Sequence, residues 1–278
     1  MFFSSEPIRS RQNRTVAELA KLTDRREREA TRLFRFDGIK LAEEAIGSGI
    51  SIPQMFLRES KAETIVAALE ERTGYSIADR VGKVLCLDDN VFDRVSEEKS
   101  PEGVICVAKY IDKFQKNVTI YNDADFSGLA DERIVLLESI RDPSNLGAVI
   151  RSAAAFGVDR LIVSTDCADV YHPKTVRASM GTLFRQKIDR TDRLPEIIGQ
   201  LRGSGRRVFA AALDCDAMRV GTFRVRAGDC VVIGNEGHGL TEKTVSACDS
   251  SVYIPMSERA ESLNAAIAAS LLMWEFSK

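Results

Sequence analysis

Apolar residues along the chain follow two alternating patterns, which predict strands separated by helices. Short continuous apolar runs, as in QMFLRES (54–60) and RIVLLES (133–139), are typical of buried strands. Longer segments such as KAETIVAALEERTG (61–74) and RLPEIIGQLRG (193–203) carry apolar residues at helical spacing and end at glycine. Repeated strand–helix alternation predicts an α/β protein.

The alternation occurs in two blocks separated by a polar segment. The first block predicts a basic helix over 14–30, helices over 39–46 and 61–74, a short helix near 90–95, and strands over 32–38, 54–60, 83–89 and 102–110. Residues 112–131 are polar and contain turn residues at Asn122-Asp123 and Ser127-Gly128. We therefore predict a first domain over 1–115, a linker over 116–130 and a second domain over 131–278.

The second block predicts a mainly parallel sheet. Strands are expected over 133–139, 160–165, 206–213, 229–237 and 251–256, and helices over 145–157, 193–203, 240–248 and 262–276, with a helical start at 173. Continuous apolar strands separated by helices indicate a sheet covered on both faces. Ligands of such sheets bind beyond the carboxyl ends of the strands, so the loops there are candidates for a site.

Composition narrows the class of protein. The chain is 44% hydrophobic and 29% charged, as expected for a globular protein. Its six cysteines stand singly and it has only two histidines, so we expect no disulfide framework, no metal site and a reducing, cytoplasmic setting. The start lacks a signal-peptide core, and the longest apolar segment (262–276) is shorter than the roughly 20 residues of a membrane span. We therefore expect an unexported protein without a membrane segment.

Charge is unevenly distributed although the net charge is −2. Residues 8–35 contain nine Lys or Arg and four acidic residues, which gives this segment +5 and the rest of the chain −7. A basic segment on a near-neutral protein indicates contact with a polyanion. A solvated helix face with mixed charges would give the same composition.

Three strand-end segments have unusual compositions. RDPSNLGAVIRSAAAFG (141–157) opens with a helix-start proline and places Arg151 among small residues. Arg151 could equally be a surface ion-pair partner, and Asn145 a helix cap. YIPMSERAESLNAAIAASLLMWEF (253–276) offers Ser262 as a helix N-cap and an alanine-rich face that suits close packing against a helix or a second subunit.

The third segment, GNEGHGL (234–240), is a glycine loop after a late strand. Its spacing is G-x-x-G-x-G, which differs from the dinucleotide, Walker and nucleophile-elbow patterns. Glycines let a backbone approach a ligand closely. Glu236 could bind a ligand amine or close the loop on itself.

Together the three segments resemble the motifs of a known family. N-LG-x-x-x-R-S-A-x-AFG, IGNEG-x-GL and IPM-(x)5-SLN are similar to the three motifs of the SpoU (TrmH-like) RNA 2′-O-ribose methyltransferases of the SPOUT superfamily. KTVRASMGTLF (174–184) also resembles this family. IRSRQNR and FRFDGIKLAEEAI resemble its substrate-binding domain, so the resemblance covers nearly the whole chain.

The resemblance implies a fold and a reaction. The fold would be a C-terminal SPOUT α/β domain with a deep trefoil knot, preceded by a small L30e-like α/β substrate-binding domain. S-adenosyl-L-methionine would bind between loops 234–240 and 254–264 of a homodimer whose active sites lie at or near the subunit interface. Its methyl group would pass to a ribose 2′-hydroxyl of RNA, with 23S ribosomal RNA favoured over transfer RNA.

The resemblance also assigns residues. The catalytic positions are Asn145, Arg151, Glu236, Ser262 and Asn264. The cofactor positions are Leu213, Gly234, Asn235, Gly237, Ile254, Met256, Leu263 and Ala265. For phosphate contacts we expect Arg9, Arg11, Arg14, Arg25, Arg26 and Arg28. We hypothesise that Arg151 holds the phosphate next to the target ribose and helps to deprotonate the hydroxyl. Because arginine stays protonated and is a poor base, positioning and charge stabilisation are the roles we expect first, and Ser262 and Asn264 should organise the pocket.

One position departs from the family pattern, and other functions stay open. Glu258 stands where many members have glycine, and it would strain the loop if positive φ were needed there. The alternatives are a transfer-RNA methyltransferase and a non-catalytic RNA-binding assembly factor. A nicotinamide-dependent oxidoreductase is disfavoured because no G-x-G-x-x-G follows the first strand of the second domain.

Overall fold

The computed structural model of the chain describes residues 6–111, 132–235, 237–260 and 262–278. These residues fall into two units. The first contains residues up to Ile111 together with Asp169–Arg185, and the second contains the remaining residues up to Ala168 and Gln186–Lys278. The linker predicted over 116–130 lies outside the described residues.

The helices and strands alternate along both units. The α-helices are α1 (Arg14–Lys21), α2 (Arg25–Thr31), α3 (Ile39–Ser48), α4 (Ala62–Thr73), α5 (Ile77–Arg80), α6 (Asp89–Val95), α7 (Pro143–Ala155), α8 (Pro173–Ala178), α9 (Leu194–Gly203), α10 (Glu242–Ala247) and α11 (Ala265–Phe276). The strands are β1 (Leu33–Asp37), β2 (Gln54–Arg58), β3 (Val84–Leu87), β4 (Val104–Lys109), β5 (Ile134–Leu137), β6 (Arg160–Ser164), β7 (Lys187–Thr191), β8 (Val208–Ala211), β9 (Met218–Arg219), β10 (Cys230–Ile233) and β11 (Ser250–Tyr253).

A four-stranded sheet in the order β1-β4-β2-β3 forms the centre of the first unit. Strand β4 is antiparallel to both β1 and β2, whereas β2 and β3 are parallel. Apolar residues of α1 and α6, including Val16, Leu19 and Phe92, pack on one face of this sheet around Phe56. This burial orients the basic N-terminal helix, because its apolar face points to the core and its charges to solvent.

The single helix predicted over 14–30 is wrong: the structure has two helices separated at residues 22–24. Asp24 adopts an extended backbone, and its carboxylate accepts a hydrogen bond from the Arg26 backbone N–H. This N-cap starts α2 afresh and ends the earlier helical repeat. The break allows α2 to pack independently on β1.

Arg28 is buried in the first unit, which corrects its assignment as a phosphate contact. Its side chain is 1% exposed, and Nη2 donates to Asp169 Oδ2 at 2.6 Å. Nη1 donates to the carbonyl oxygens of Leu22 and Thr23 at 2.9 and 2.7 Å. The guanidinium is committed to these partners, so it is a structural group.

A parallel seven-stranded sheet organises the second unit, in the order β7-β6-β5-β10-β8-β11-β9. The predicted mainly parallel α/β architecture is confirmed. Strands β7 and β9 were not predicted. Both lie at sheet edges, where β7 has a single apolar residue, Ile188, and β9 has two residues. Edge strands are often short and carry charged side chains, so neither strand has the continuous apolar run that predicts a central strand.

Helices cover both faces of this sheet. Ile134, Leu136 and Val232 alternate along β5 and β10 and form a core with α9. Helix α11 packs on β10 and against α7, while α10 packs on α9. The trefoil knot implied by the family resemblance stays a prediction.

Composition also gave expectations about cysteines, metal sites and membrane spans. All six cysteines are free thiols. Within the described ranges, no cluster of three or more His, Cys, Asp and Glu side chains is arranged to hold a metal ion. No helix in the same ranges combines the length and apolar character of a membrane span.

Replacing Arg28 with methionine should destabilise the first unit strongly. The change leaves the Asp169 carboxylate, 11% exposed, without its cation, and breaking a buried pair in this way costs about 3–5 kcal/mol. The control is Arg25→Met, which removes an exposed pair with Glu29 and should cost less than about 1 kcal/mol. Urea unfolding followed by circular dichroism compares the two. Equal unfolding midpoints would show that the Arg28–Asp169 pair does not stabilise the fold.

Candidate active site

A side-chain hydrogen bond joins the first and third predicted motifs in the second unit. Asn264 Nδ2 donates to Asn145 Oδ1 at 3.0 Å, although the two residues are 119 positions apart. Asn264 also caps α11, because its Oδ1 accepts from the Ala266 backbone N–H at 2.9 Å. The N-cap is therefore Asn264, and the expectation that Ser262 caps this helix is wrong. The helix begins at Ala265, so only residue 264 is in reach of its first free N–H groups.

The start of α7 fixes Asn145. Asp142 accepts from the backbone N–H groups of Ser144 and Asn145 at 2.8 and 2.9 Å, and Pro143 occupies the first turn. The cap and the proline set the direction of the first turn. Asn145 thereby presents its amide oxygen towards Asn264.

Asn235 organises the glycine loop. Its Oδ1 accepts from the backbone N–H groups of Gly237 and His238 at 2.8 and 3.2 Å, and its Nδ2 donates to the Ser139 carbonyl oxygen at 2.8 Å. Its backbone exchanges two hydrogen bonds with Gly239, at 3.1 and 3.0 Å. The side chain holds the loop closed and ties it to the end of β5.

Gly234 is needed for this closure. A Cβ at this position would lie 2.5 Å from the carbonyl carbon of Gly239 and 2.6 Å from the backbone nitrogen of Leu240. Backbone atoms cannot yield as the end of a flexible side chain can. The glycine therefore permits the two arms of the loop to approach each other.

Two acidic residues that the sequence did not single out hold the surroundings of the loop. The Glu138 carboxylate accepts from the Thr241 backbone N–H at 2.8 Å and from the Thr244 hydroxyl at 2.6 Å. Asp166 accepts from the hydroxyls of Ser139 and Ser164. The only sequence signal for Glu138 was its place directly after the apolar run of β5.

The hydrogen bonds to Asp166 fix its charge as well as its position. Burial alone would raise the pKa of Asp166, but the two serine hydroxyls outweigh it and hold the pKa below its ordinary value. The carboxylate thus stays ionised and holds Ser139, whose backbone has a left-handed φ of 57°. Ser139 in turn accepts the Asn235 amide, so Asp166 supports the glycine loop indirectly.

An apolar cleft of about 210 Å³ opens at the carboxyl ends of β8 and β11, against α11. Four of the predicted cofactor residues and one predicted catalytic residue line it: Leu213, Ile254, Met256, Leu263 and Ser262. Leu213 is 82% exposed and Met256 45% exposed, which is unusual for large apolar side chains. Gly234, Asn235, Gly237 and Ala265 do not line this cleft, and Ala265 is buried at the start of α11.

Arg151 is an exposed cation on α7. Across the described parts of the chain, its side chain makes no hydrogen bond or ion pair, so its charge is available to a ligand. The helix that carries it is fastened to α11 by a 2.7 Å hydrogen bond between the hydroxyls of Ser152 and Ser270. Glu236, the remaining predicted catalytic residue, lies outside the described residues.

Glu258 causes no backbone strain where many family members have glycine. Its φ is not positive, and the turn it belongs to is closed by a 3.2 Å hydrogen bond from the Ala260 backbone N–H to the Ser257 carbonyl oxygen. A residue with a side chain therefore fits at position 258.

Fold and site together define an α/β transferase domain with a separate α/β substrate-binding domain, and family comparisons agree. The model of the SpoU rRNA methylase family matches residues 132–274, just over half of the chain. The model of the MRM3-like substrate binding domain matches residues 13–106. The chain therefore belongs to the SpoU rRNA methylase family, and the resemblance inferred from its three motifs is confirmed.

Named relatives match either nearly the whole chain or about half of it. It is 27% identical to the 23S rRNA (guanosine(2553)-2′-O)-methyltransferase RlmP of Bacillus subtilis, over 96% of this chain and 97% of that protein. It is also 38% identical to a 23S rRNA (uridine(2479)-2′-O)-methyltransferase of Streptomyces viridochromogenes, over 51% of this chain and 50% of that protein. An AdoMet-bound rRNA methyltransferase from Sinorhizobium meliloti superposes with a TM-score of 0.80 and 28% identity, covering 98% and 97% of the two chains.

Changing Gly234 to alanine should open the glycine loop and weaken S-adenosylmethionine binding. The added Cβ overlaps backbone atoms, and overpacking of this kind costs about 1–3 kcal/mol, which corresponds to a rise in Kd of about 5- to 150-fold if the cost falls on the bound state. Gly199→Ala on α9 is the matched control, because a Cβ there meets nothing within 4 Å and the residue lies outside the loop. Isothermal titration calorimetry measures both. Equal affinities would mean that the closed loop does not shape the cofactor site.

Proposed function

We propose that this chain transfers the methyl group of S-adenosylmethionine to a ribose 2′-hydroxyl of 23S ribosomal RNA. The observation that carries the proposal is the hydrogen bond from Asn264 to Asn145, because it joins the arginine-bearing helix α7 to the helix that borders the apolar cleft. Relatives named as 23S rRNA 2′-O-methyltransferases, two of them described above, support the substrate class. The enzyme would act in the cytoplasm, where ribosomal RNA is assembled into subunits.

The residues of the cleft fit S-adenosylmethionine. The lining is mostly apolar with a few polar groups, which is typical of small-molecule sites. Leu213, Ile254 and Leu263 would enclose the cofactor, and Ser262 offers a hydroxyl at the rim. When bound, the cofactor supplies an electrophilic methyl group on a sulfonium. The glycine loop would complete the site at Gly234, Asn235 and Gly237.

Arg151 would act on the RNA. A guanidinium remains protonated in nearly all protein settings, so it cannot readily serve as a base. It can hold the phosphate beside the target ribose, which positions the 2′-hydroxyl, and it can stabilise the charge that develops on the oxygen. Asn145 and Asn264 position α7 and α11, and Glu236 stays a predicted member of the site.

The first unit would bind the RNA through exposed arginines. Arg9, Arg11, Arg14, Arg25 and Arg26 are all exposed, and Arg14 is 92% exposed. Arg14 and Arg25 form surface pairs with Glu18 and Glu29, which are weak enough for phosphates to displace. RNA affinity should therefore fall steeply with salt.

A homodimer is part of the proposal. Ile267, Leu271 and Trp274 are 53%, 42% and 53% exposed and recur at helical spacing on one face of α11. An apolar stripe of this kind is typical of a helix that packs against a second subunit. Helix α7, which carries Arg151, packs against α11. The dimer would therefore bring the arginine close to the shared interface.

Arg151→Ala should abolish most methyl transfer without weakening cofactor binding. Loss of one charge-stabilising group lowers kcat by about 100-fold or more. The assay uses labelled S-adenosylmethionine with unmodified total RNA separated into ribosomal and transfer pools. Lys243→Ala, which removes an exposed cation elsewhere in the second unit, is the control and should keep its turnover.

The assay also separates the alternative functions. Label in the ribosomal pool that Arg151→Ala loses supports the proposal, whereas label in the transfer pool makes the chain a transfer-RNA enzyme. No label and no cofactor binding would identify a non-catalytic RNA-binding factor. Full turnover by Arg151→Ala would overturn the role given to this residue.

Leu271→Glu combined with Trp274→Glu should convert the dimer to a monomer, because each change places a charge in an apolar contact. Light scattering measures the mass of the particle. Tyr75→Glu in the first unit is the control. The Tyr75 side chain is exposed to a similar extent, 41%, but lies outside α11, so the mass should stay unchanged. A wild-type protein that is already monomeric would exclude this interface.

A further inference from the structure

A second cleft in the second unit is lined by arginines and has no part in the site described above. It measures about 580 Å³, is open to solvent, and is formed by Arg207, Phe223, Arg224, Val225, Arg226 and Ala227. Arg207 precedes β8 and Asp229 precedes β10, so this cleft lies at the amino ends of the parallel strands. The apolar cleft lies at the carboxyl ends of β8 and β11.

The cleft presents two cations that no acidic group neutralises. Arg224 and Arg226 are exposed, and their side chains make no hydrogen bond or ion pair with the residues that the structure describes. The intervening Val225 is half-buried, which fits an extended segment whose alternate side chains point the same way. In such a segment the two arginines emerge on one side, with α-carbons roughly 6.6 Å apart.

A buried carboxylate holds this segment in place. Asp229, with a side chain 3% exposed, accepts from Arg207 Nε at 2.9 Å and from the Arg226 backbone N–H at 2.7 Å. Arg207 Nη2 also donates to the Arg224 carbonyl oxygen at 3.0 Å. The backbone of both free arginines is thus fixed before any ligand binds, and the Asp229 carboxylate is paired with Arg207.

Aromatic packing anchors the other end of the segment. The ring of Phe223 stacks on Phe209 of β8, with centroids 5.4 Å apart, and meets the edge of Phe276 at 6.3 Å. Because β8 is a central part of the sheet, the loop is tied to the core. A fixed loop that projects two unneutralised guanidinium groups suits planar, bidentate recognition of phosphate oxygens.

We propose that this arginine cleft is a second RNA contact, which binds the phosphodiester backbone of the substrate away from the target ribose. The inference rests on the proposed function, since the polyanion is the RNA that is methylated. It assigns phosphate binding to the catalytic unit in addition to the arginines of the first unit. These contacts add affinity without reading sequence.

The test is a charge series at the two positions in the full-length protein. R224K/R226K keeps the charge, R224Q/R226Q removes it, and R224E/R226E reverses it. Filter binding with an unmodified 23S rRNA transcript, at several salt concentrations, gives Kd and its salt dependence. We expect an intermediate affinity for the lysine variant, which keeps the charge but loses the bidentate geometry, and a Kd at least about tenfold higher for the glutamate variant. The slope of log affinity against log salt should fall by roughly 1.5–2 for the glutamine variant.

Two further measurements separate RNA contact from damage to the fold. S-adenosylmethionine affinity and particle mass should stay unchanged across the series, because neither arginine lines the apolar cleft. Unchanged RNA affinity and slope, or a parallel loss of cofactor affinity, would overturn the assignment. The binding assay needs no turnover, so a protein that binds RNA through these arginines but transfers no methyl group would contradict only the proposed function.

Discussion

The site depends on one asparagine side chain that makes two kinds of hydrogen bond. Asn264 accepts backbone N–H groups at the start of α11 and donates to Asn145 at the start of α7. The amide can do both because it has an acceptor oxygen and a donor nitrogen, whereas an ionised carboxylate has no donor. Asn264 therefore links the last helix, and the cleft that it borders, to the helix that carries Arg151.

Local pattern was sufficient for the central elements of the fold and insufficient for those whose partners are distant. Strands β5 and β10 and helix α7 followed from apolar runs, a proline start and a glycine end. Edge strand β7 carries no such run. Arg28 was predicted to contact phosphate with the other arginines of the basic segment, yet it is buried and paired with Asp169, 141 positions away.

The candidate site shows the same limit. The family motifs identified Asn145 and Asn264, but not Glu138 or Asp166, whose roles come from hydrogen bonds across the sheet that have no sequence period. The glycines of the loop were interpreted as room for a ligand. Gly234 instead makes room for the loop's own backbone, and the resulting closed shape is what a ligand would meet. The loop residues must therefore first close the loop on itself, and the closed loop can then contact a ligand.

The two clefts differ in charge in a way that suits their separation. S-adenosylmethionine carries a sulfonium, so clustered guanidinium groups beside it would oppose binding, and the apolar cleft is lined without arginine or lysine. RNA requires cations. The two clefts lie at opposite ends of β8. This strand has four residues, and together with its flanking residues it spans roughly 15 Å between the clefts. This distance exceeds the screening length of about 8 Å at physiological salt, so phosphate-binding charge can be added at one end of the strand without repelling the cofactor at the other.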